Sequence, residues 1–114
     1  MRKSDWVPKA LRILGLAQRA GAVVPGTSAT RRSIRQGDAR VVLVARDASS
    51  TQLAKIKRTM GKRTVPEVLL GDKATLGAAI GRAPTTAVAV TDASLAGLLL
   101  ESTNGDALLD EGRG

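Results

Sequence analysis

The sequence predicts an α/β fold, a three-layer α/β/α sandwich around a central four-stranded sheet, on three observations. Arg40-Val41-Val42-Leu43-Val44-Ala45 and Ala87-Val88-Ala89-Val90 are unbroken apolar runs, the mark of strands buried on both faces. The stretches between strand-like runs carry apolar residues three and four apart, the helical period. Strand and helix alternate along the chain, so helices are available for both faces of a sheet.

The first helix opens at Pro8, whose missing N–H costs nothing in a first turn. Ala10, Ile13, Leu14, Leu16, Ala17 and Ala20 follow at helical spacing, and Gly21 stops the run. Ala22 to Pro25 is short and strand-like. Gly26-Thr27-Ser28 starts a second helix, with Thr27 or Ser28 as its N-cap, that runs to Gly37. After the strand at 40–45, residues Asp47 to Ser50 supply caps for a third helix. Its apolar stripe is Leu53, Ile56 and Met60, and Lys55, Lys57, Arg58, Lys62 and Arg63 occupy the remainder. Pro66 to Leu70 is another apolar strand, with Pro66 tolerable only at its start. Asp72 caps a short helix carrying Leu76, Ala79 and Ile80, in which Gly77 and Gly81 permit close packing on a neighbour. Arg82 to Thr86 is a loop, and 87–90 the fourth strand. Asp92 caps a last helix with Leu95, Leu98 and Leu99 turned inward. Beyond Ser102 the chain is polar, acidic and Gly-bearing. Residues 1–102 are therefore read as one domain and 103–114 as a flexible acidic tail.

Composition narrows the function. The 114-residue chain has no Cys and no His, which removes thiol chemistry, thiolate zinc sites and the commonest general base. No carboxylate pair stands out by spacing, so the chain is read as non-enzymatic, with no metal and no cofactor. Gly71-Asp72-Lys73 lacks the full pattern of a phosphate loop, and Gly77 and Gly81 do not follow a strand as a dinucleotide fingerprint requires. No apolar run approaches a membrane span, and the N-terminus lacks the features of a secretory signal, so the expected location is cytoplasmic with no membrane partner.

The net charge of +8 is unevenly spread: residues 1–63 hold fifteen Lys/Arg against three acids, a balance of +12, and residues 64–114 carry −4. A basic half on an ordinary domain is the footprint of a polyanion binder. With no Phe, no Tyr and one Trp, Trp6, the chain cannot splay single strands over aromatic platforms. Binding must rest on charge, backbone donors and small apolar wedges. The stretch from Gly26 to Gly37 offers these: a helix start with free N–H groups, the hydroxyls of Thr27 and Ser28, and the cations Arg31, Arg32 and Arg35. Taken locally, an ordinary capped surface helix fits these residues equally well.

Five segments in register resemble the ribosomal protein 7Ae/30e family of kink-turn RNA-binding proteins, most of all its bacterial YlxQ-type members. They are Leu14 to Gly21, Gly26 to Gly37, Ala45 to Ser49, Leu76 to Gly81, and Val88 to Ala93, and the resemblance spans about residues 8–101. It implies an α/β/α sandwich whose RNA site lies at the start of the second helix. Gly26 stands where the family brings backbone close to RNA, with Ser28 in place of its Asn, Ala29 of its Glu and Arg32 of its Lys. Ser49, Leu53 and Lys73 match positions bordering the pocket for a flipped-out nucleotide. Arg82, Ala83, Pro84 and Thr85 match the loop that packs on the kink. The implied partner is structured RNA, kink-turn-like or ribosomal, with ribosome association. Ala29 has no polar side-chain atom, so phosphate contact is expected to survive better than base readout. Two rival readings are a protein-interaction module of the same fold and the substrate-recognition domain of an RNA-modifying assembly.

Overall fold

The computed structural model describes residues 3–103. A 3-10 turn, Lys3–Trp6, leads into α1, Val7–Arg19. There follow β1, Val23–Pro25; α2, Thr27–Gln36; β2, Val41–Val44; α3, Ser50–Met60; β3, Glu67–Leu69; α4, Lys73–Ala79; β4, Ala87–Val90; and α5, Ala93–Ser102. The four strands form one mixed sheet in the order β1-β4-β2-β3, with β2 and β3 parallel and the other two pairings antiparallel.

Successive strand residues point to opposite faces, and both faces are apolar. On one side Val41, Leu43, Val88 and Val90 pack against Leu14 of α1, Leu76 of α4 and Leu99 of α5. On the other side Val42, Val44, Ala87 and Ala89 pack against Ile34 of α2 and Ile56 and Met60 of α3. This is the three-layer sandwich expected. Each fully buried leucine or isoleucine contributes about 1.5–3 kcal/mol of burial free energy. Trp6, the lone aromatic, lies in the first of these cores rather than on the surface. No helix among the described residues is long and apolar enough to cross a membrane.

Several expectations need correction. Leu16 is 48% exposed and Leu98 is 47% exposed. The buried stripe of α1 is Ala10, Ile13, Leu14 and Ala17, and Leu16 sits roughly a third of a turn away from its centre. Leu98 is likewise turned from the α5 face that buries Ala96 and Leu99. The third strand is not wholly apolar: Glu67 is buried in it, 3.5 Å from the Lys57 Nζ of α3. Gly81 lies beyond α4, with φ +69° and open space around it, so it serves as a turn residue and not a packing one. Thr103, assigned to the tail, is buried, and its Oγ1 donates to the Leu100 carbonyl at 2.8 Å. The rest of the expected tail, 104–114, lies outside the described residues.

Candidate nucleic-acid interface

The sheet topology gathers four chain segments at one end. Because β4 runs antiparallel between β1 and β2, its beginning lies beside their ends. Gly26 N–H, just past β1, donates to the Ala87 carbonyl at 2.8 Å. Ala45 N–H, just past β2, donates to the Thr86 carbonyl at 2.8 Å, and Arg46 N–H to the Gly71 carbonyl beyond β3 at 2.8 Å. Lys73 ties two further pieces together: its N–H donates to Asp47 Oδ1 at 2.9 Å, and its carbonyl accepts from Thr85 N–H at 3.0 Å.

The start of α2 is open. Its N-cap is Gly26, not Thr27 or Ser28, and no side chain caps the helix. The backbone passes from strand to helix within one residue, at φ +101°, a conformation that a side chain would strain. Thr30 N–H is bonded to the Gly26 carbonyl at 2.9 Å, which leaves the N–H groups of Thr27, Ser28 and Ala29 ahead of it without helical partners. No acidic residue stands in the first turn, so nothing offsets the positive end of the helix dipole.

Pro25, Gly26 and Thr27 form one wall of an open groove of about 620 Å³, and residues 81–86 form the other. Arg82, Ala83 and Pro84 are exposed on that loop. Thr85 is buried and turns its Oγ1 onto the Ala83 carbonyl at 2.8 Å, so it shapes the loop rather than presenting itself. Along α2, Ser28, Arg32 and Arg35 are exposed, spaced four and three apart on one face. Arg31 departs from the expected cluster: it is half-buried, and its Nε donates to Thr59 Oγ1 of α3 at 2.8 Å. Ser49 caps α3 by accepting from Gln52 N–H at 3.1 Å, and Leu53 packs against the α2–α3 core.

Two contributors, Asp47 and Gln52, escape the sequence reading, and the close-packing glycine Gly77 has a partner that the sequence does not name. Asp47, a cap-type residue ahead of α3, holds the Lys73 N–H instead. The side-chain Oε1 of Gln52, whose backbone N–H donates to Ser49, is buried and unbonded among the described residues. Gly77 supports the loop: a Cβ there would meet the Ala83 carbonyl, with the carbonyl carbon at 2.8 Å and the Arg82 oxygen at 3.0 Å. The available signal was a glycine inside a helix, where it costs about 1 kcal/mol relative to alanine. Asp72 accepts from Thr75 N–H at 2.7 Å, which holds its carboxyl below the usual carboxylate range and fixes the start of α4 under the groove.

The model of the ribosomal protein L7Ae/L30e/S12e/Gadd45 family matches residues 9–99. The chain belongs to this family. This L7Ae-family chain is 36% identical over 100 residues to the RNA-binding protein YlxQ of Bacillus subtilis (strain 168), covering 88% of this chain and 96% of the relative. It is 29% identical over 89 residues to the large ribosomal subunit protein eL8 of Thermoplasma volcanium, covering 77% and 74% respectively. Among solved structures, a protein of unknown function from Bacillus halodurans C superposes with a TM-score of 0.80 at 27% identity, covering 84% of this chain and 97% of that one. The L7Ae-family fold and the open α2 start thus occur together in one chain.

Proposed function

We propose that this L7Ae-family protein binds structured RNA, kink-turn-like or ribosomal, without catalysing a reaction. The observation that carries the proposal is the groove in which the uncapped start of α2 faces the exposed loop 82–84. Free N–H groups at a helix start suit a phosphate, and exposed arginines beside them extend the contact along a strand. Names borne by relatives, an RNA-binding protein and a large-subunit ribosomal protein, point the same way and favour a ribosome-associated role.

The roles divide as follows. The N–H groups of Thr27, Ser28 and Ala29 take a phosphate or sugar oxygen close to Gly26. Arg32 and Arg35 neutralise flanking phosphates. Arg82, Ala83 and Pro84 pack on the RNA from the opposite wall. Lys73, Ser49 and Leu53 border a position where an unstacked base is received. Ser28 and Ala29 reach less far than the Asn and Glu of the family pattern, so shape and phosphate dominate over base edges.

Arg32→Ala tests the placement. The residue is exposed, so the change in stability stays within the range of a surface substitution, about 0.5 kcal/mol, and the melting curve is nearly unmoved. Affinity for a kink-turn hairpin falls by about 1–3 kcal/mol through loss of a charge-assisted bond. Unchanged affinity with an intact melting curve rejects this helix as the site.

One observation favours a second reading, a protein-interaction surface. Leu16 is exposed in a shallow groove between α1 and α4 that Lys9, Arg12 and Arg19 help to line, on the opposite layer from α2. That groove is apolar with a basic rim, suited to an acidic amphipathic segment.

A further inference from the structure

The seam between α2 and α3 holds two arginines on one residue. Arg31 of α2 donates its Nε to Thr59 Oγ1 at 2.8 Å. Arg63, just past α3, donates its Nη1 to the carbonyl of the same Thr59 at 3.2 Å. Thr59 is buried, and its hydroxyl in turn donates to the Lys55 carbonyl at 2.9 Å, which fixes its rotamer. Two guanidiniums are therefore pinned to neighbouring atoms by a side chain and a backbone that cannot swing away.

Like charges are seldom gathered without a counter-charge. Neither Arg31 nor Arg63 meets a carboxylate among the described residues, whereas Lys57 of α3 pairs with Glu67. Arg58 and Lys62, exposed nearby in sequence, add charge of the same sign. Each guanidinium carries about five N–H donors in a planar fork, of which a single one is bonded among the described residues. What fits two pinned forks with unused donors is a tetrahedral oxyanion.

We infer that the Arg31–Thr59–Arg63 cluster is a second phosphate-binding point, which takes the sugar–phosphate backbone of RNA outside the groove. It rests on the RNA-binding reading above, and it adds a contact independent of the kink. Arg31 lies on the flank of α2 toward α3, while Ser28, Arg32 and Arg35 share its exposed face. A backbone leaving the groove along α2 therefore meets the pair. Such a contact is blind to sequence and to bending, so it also acts on a plain duplex.

The test uses the full-length protein, a kink-turn RNA hairpin, a plain RNA duplex and polyglutamate. Arg63→Ala, at an exposed position, is expected to lower affinity for both RNAs about tenfold at low salt. It should also make the slope of log K against log salt shallower by about 1. Arg63→Lys restores the slope but not the full affinity, since an ammonium lacks the fork. If Arg63→Ala changes neither affinity nor slope while Arg32→Ala weakens hairpin binding, the seam is overturned and the groove stands. If Arg63→Ala acts and Arg32→Ala does not, the seam stands and the groove falls. No binding of the wild type to either RNA overturns both. Polyglutamate binding as tight as RNA binding overturns the seam in favour of an acidic protein partner.

Discussion

Raising salt from about 50 to about 200 mM should weaken binding of a structured RNA by roughly two orders of magnitude. The expectation follows from how few contacts other than charge the interface offers. Ala29 has no side-chain hydrogen-bonding atom, and the only aromatic, Trp6, is in the core. On the proposed reading, affinity comes chiefly from phosphates neutralised by Arg32, Arg35, Arg82 and their neighbours. For about four phosphates, log K falls with log salt at a slope near −3 to −4, which over a fourfold rise in salt is about 60- to 250-fold. Titrations at several salt concentrations measure the slope directly. A flat response would contradict a phosphate-led interface and turn attention to the apolar groove around Leu16.

Gly77→Ala should damage binding without touching RNA. The added methyl runs into the backbone of Arg82 and Ala83, and a backbone cannot rotate aside as a side chain can. Either α4 shifts or the 82–86 loop moves off its hydrogen bond to Lys73, and both open the groove wall. Overpacking of this kind costs about 1–3 kcal/mol of stability, less than the total of about 5–15 kcal/mol for a typical domain. The protein should therefore stay folded while RNA affinity falls about tenfold or more, that is, by about 1.4 kcal/mol or more. Gly97→Ala supplies the control. A Cβ at that helical position meets nothing within 4 Å, and replacing a helical glycine by alanine stabilises by up to about 1 kcal/mol. Melting curves and RNA titrations of both variants check the pair. Wild-type affinity in Gly77→Ala would mean that the loop plays no part in binding.

The parts of the fold that were legible share a local cause. Strands covered on both faces are apolar at every position, so 41–44 and 87–90 could be read directly. Ser49, Asp72 and Asp92 cap their helices through their own side chains, a bond spanning three residues that spacing reveals. The misreadings have non-local causes. Thr27 and Ser28 are good capping types, yet β1 hands the chain to α2 through the positive φ of Gly26, which makes Gly26 the cap. Arg31 and Arg32 are adjacent in sequence but about 100° apart around the helix, and Thr59 from another helix claims one of them. Glu67 is buried in its strand, where its Oε1 meets Lys57 of α3, ten residues away. The groove depends on the placement of β4 between β1 and β2, a sheet order that no local pattern encodes. Family likeness therefore pointed to residues 26–32 and 82–85 before any geometry could join them.

The most direct test of the groove as the RNA site is to follow backbone amide resonances of the full-length protein during titration with a kink-turn RNA hairpin. The largest shifts are expected on Gly26 to Arg32 and on Arg82 to Thr86, with the α1–α4 surface around Leu16 unmoved. Shifts centred on Leu16, Arg12 and Arg19 with the α2 start silent would contradict the groove as the site.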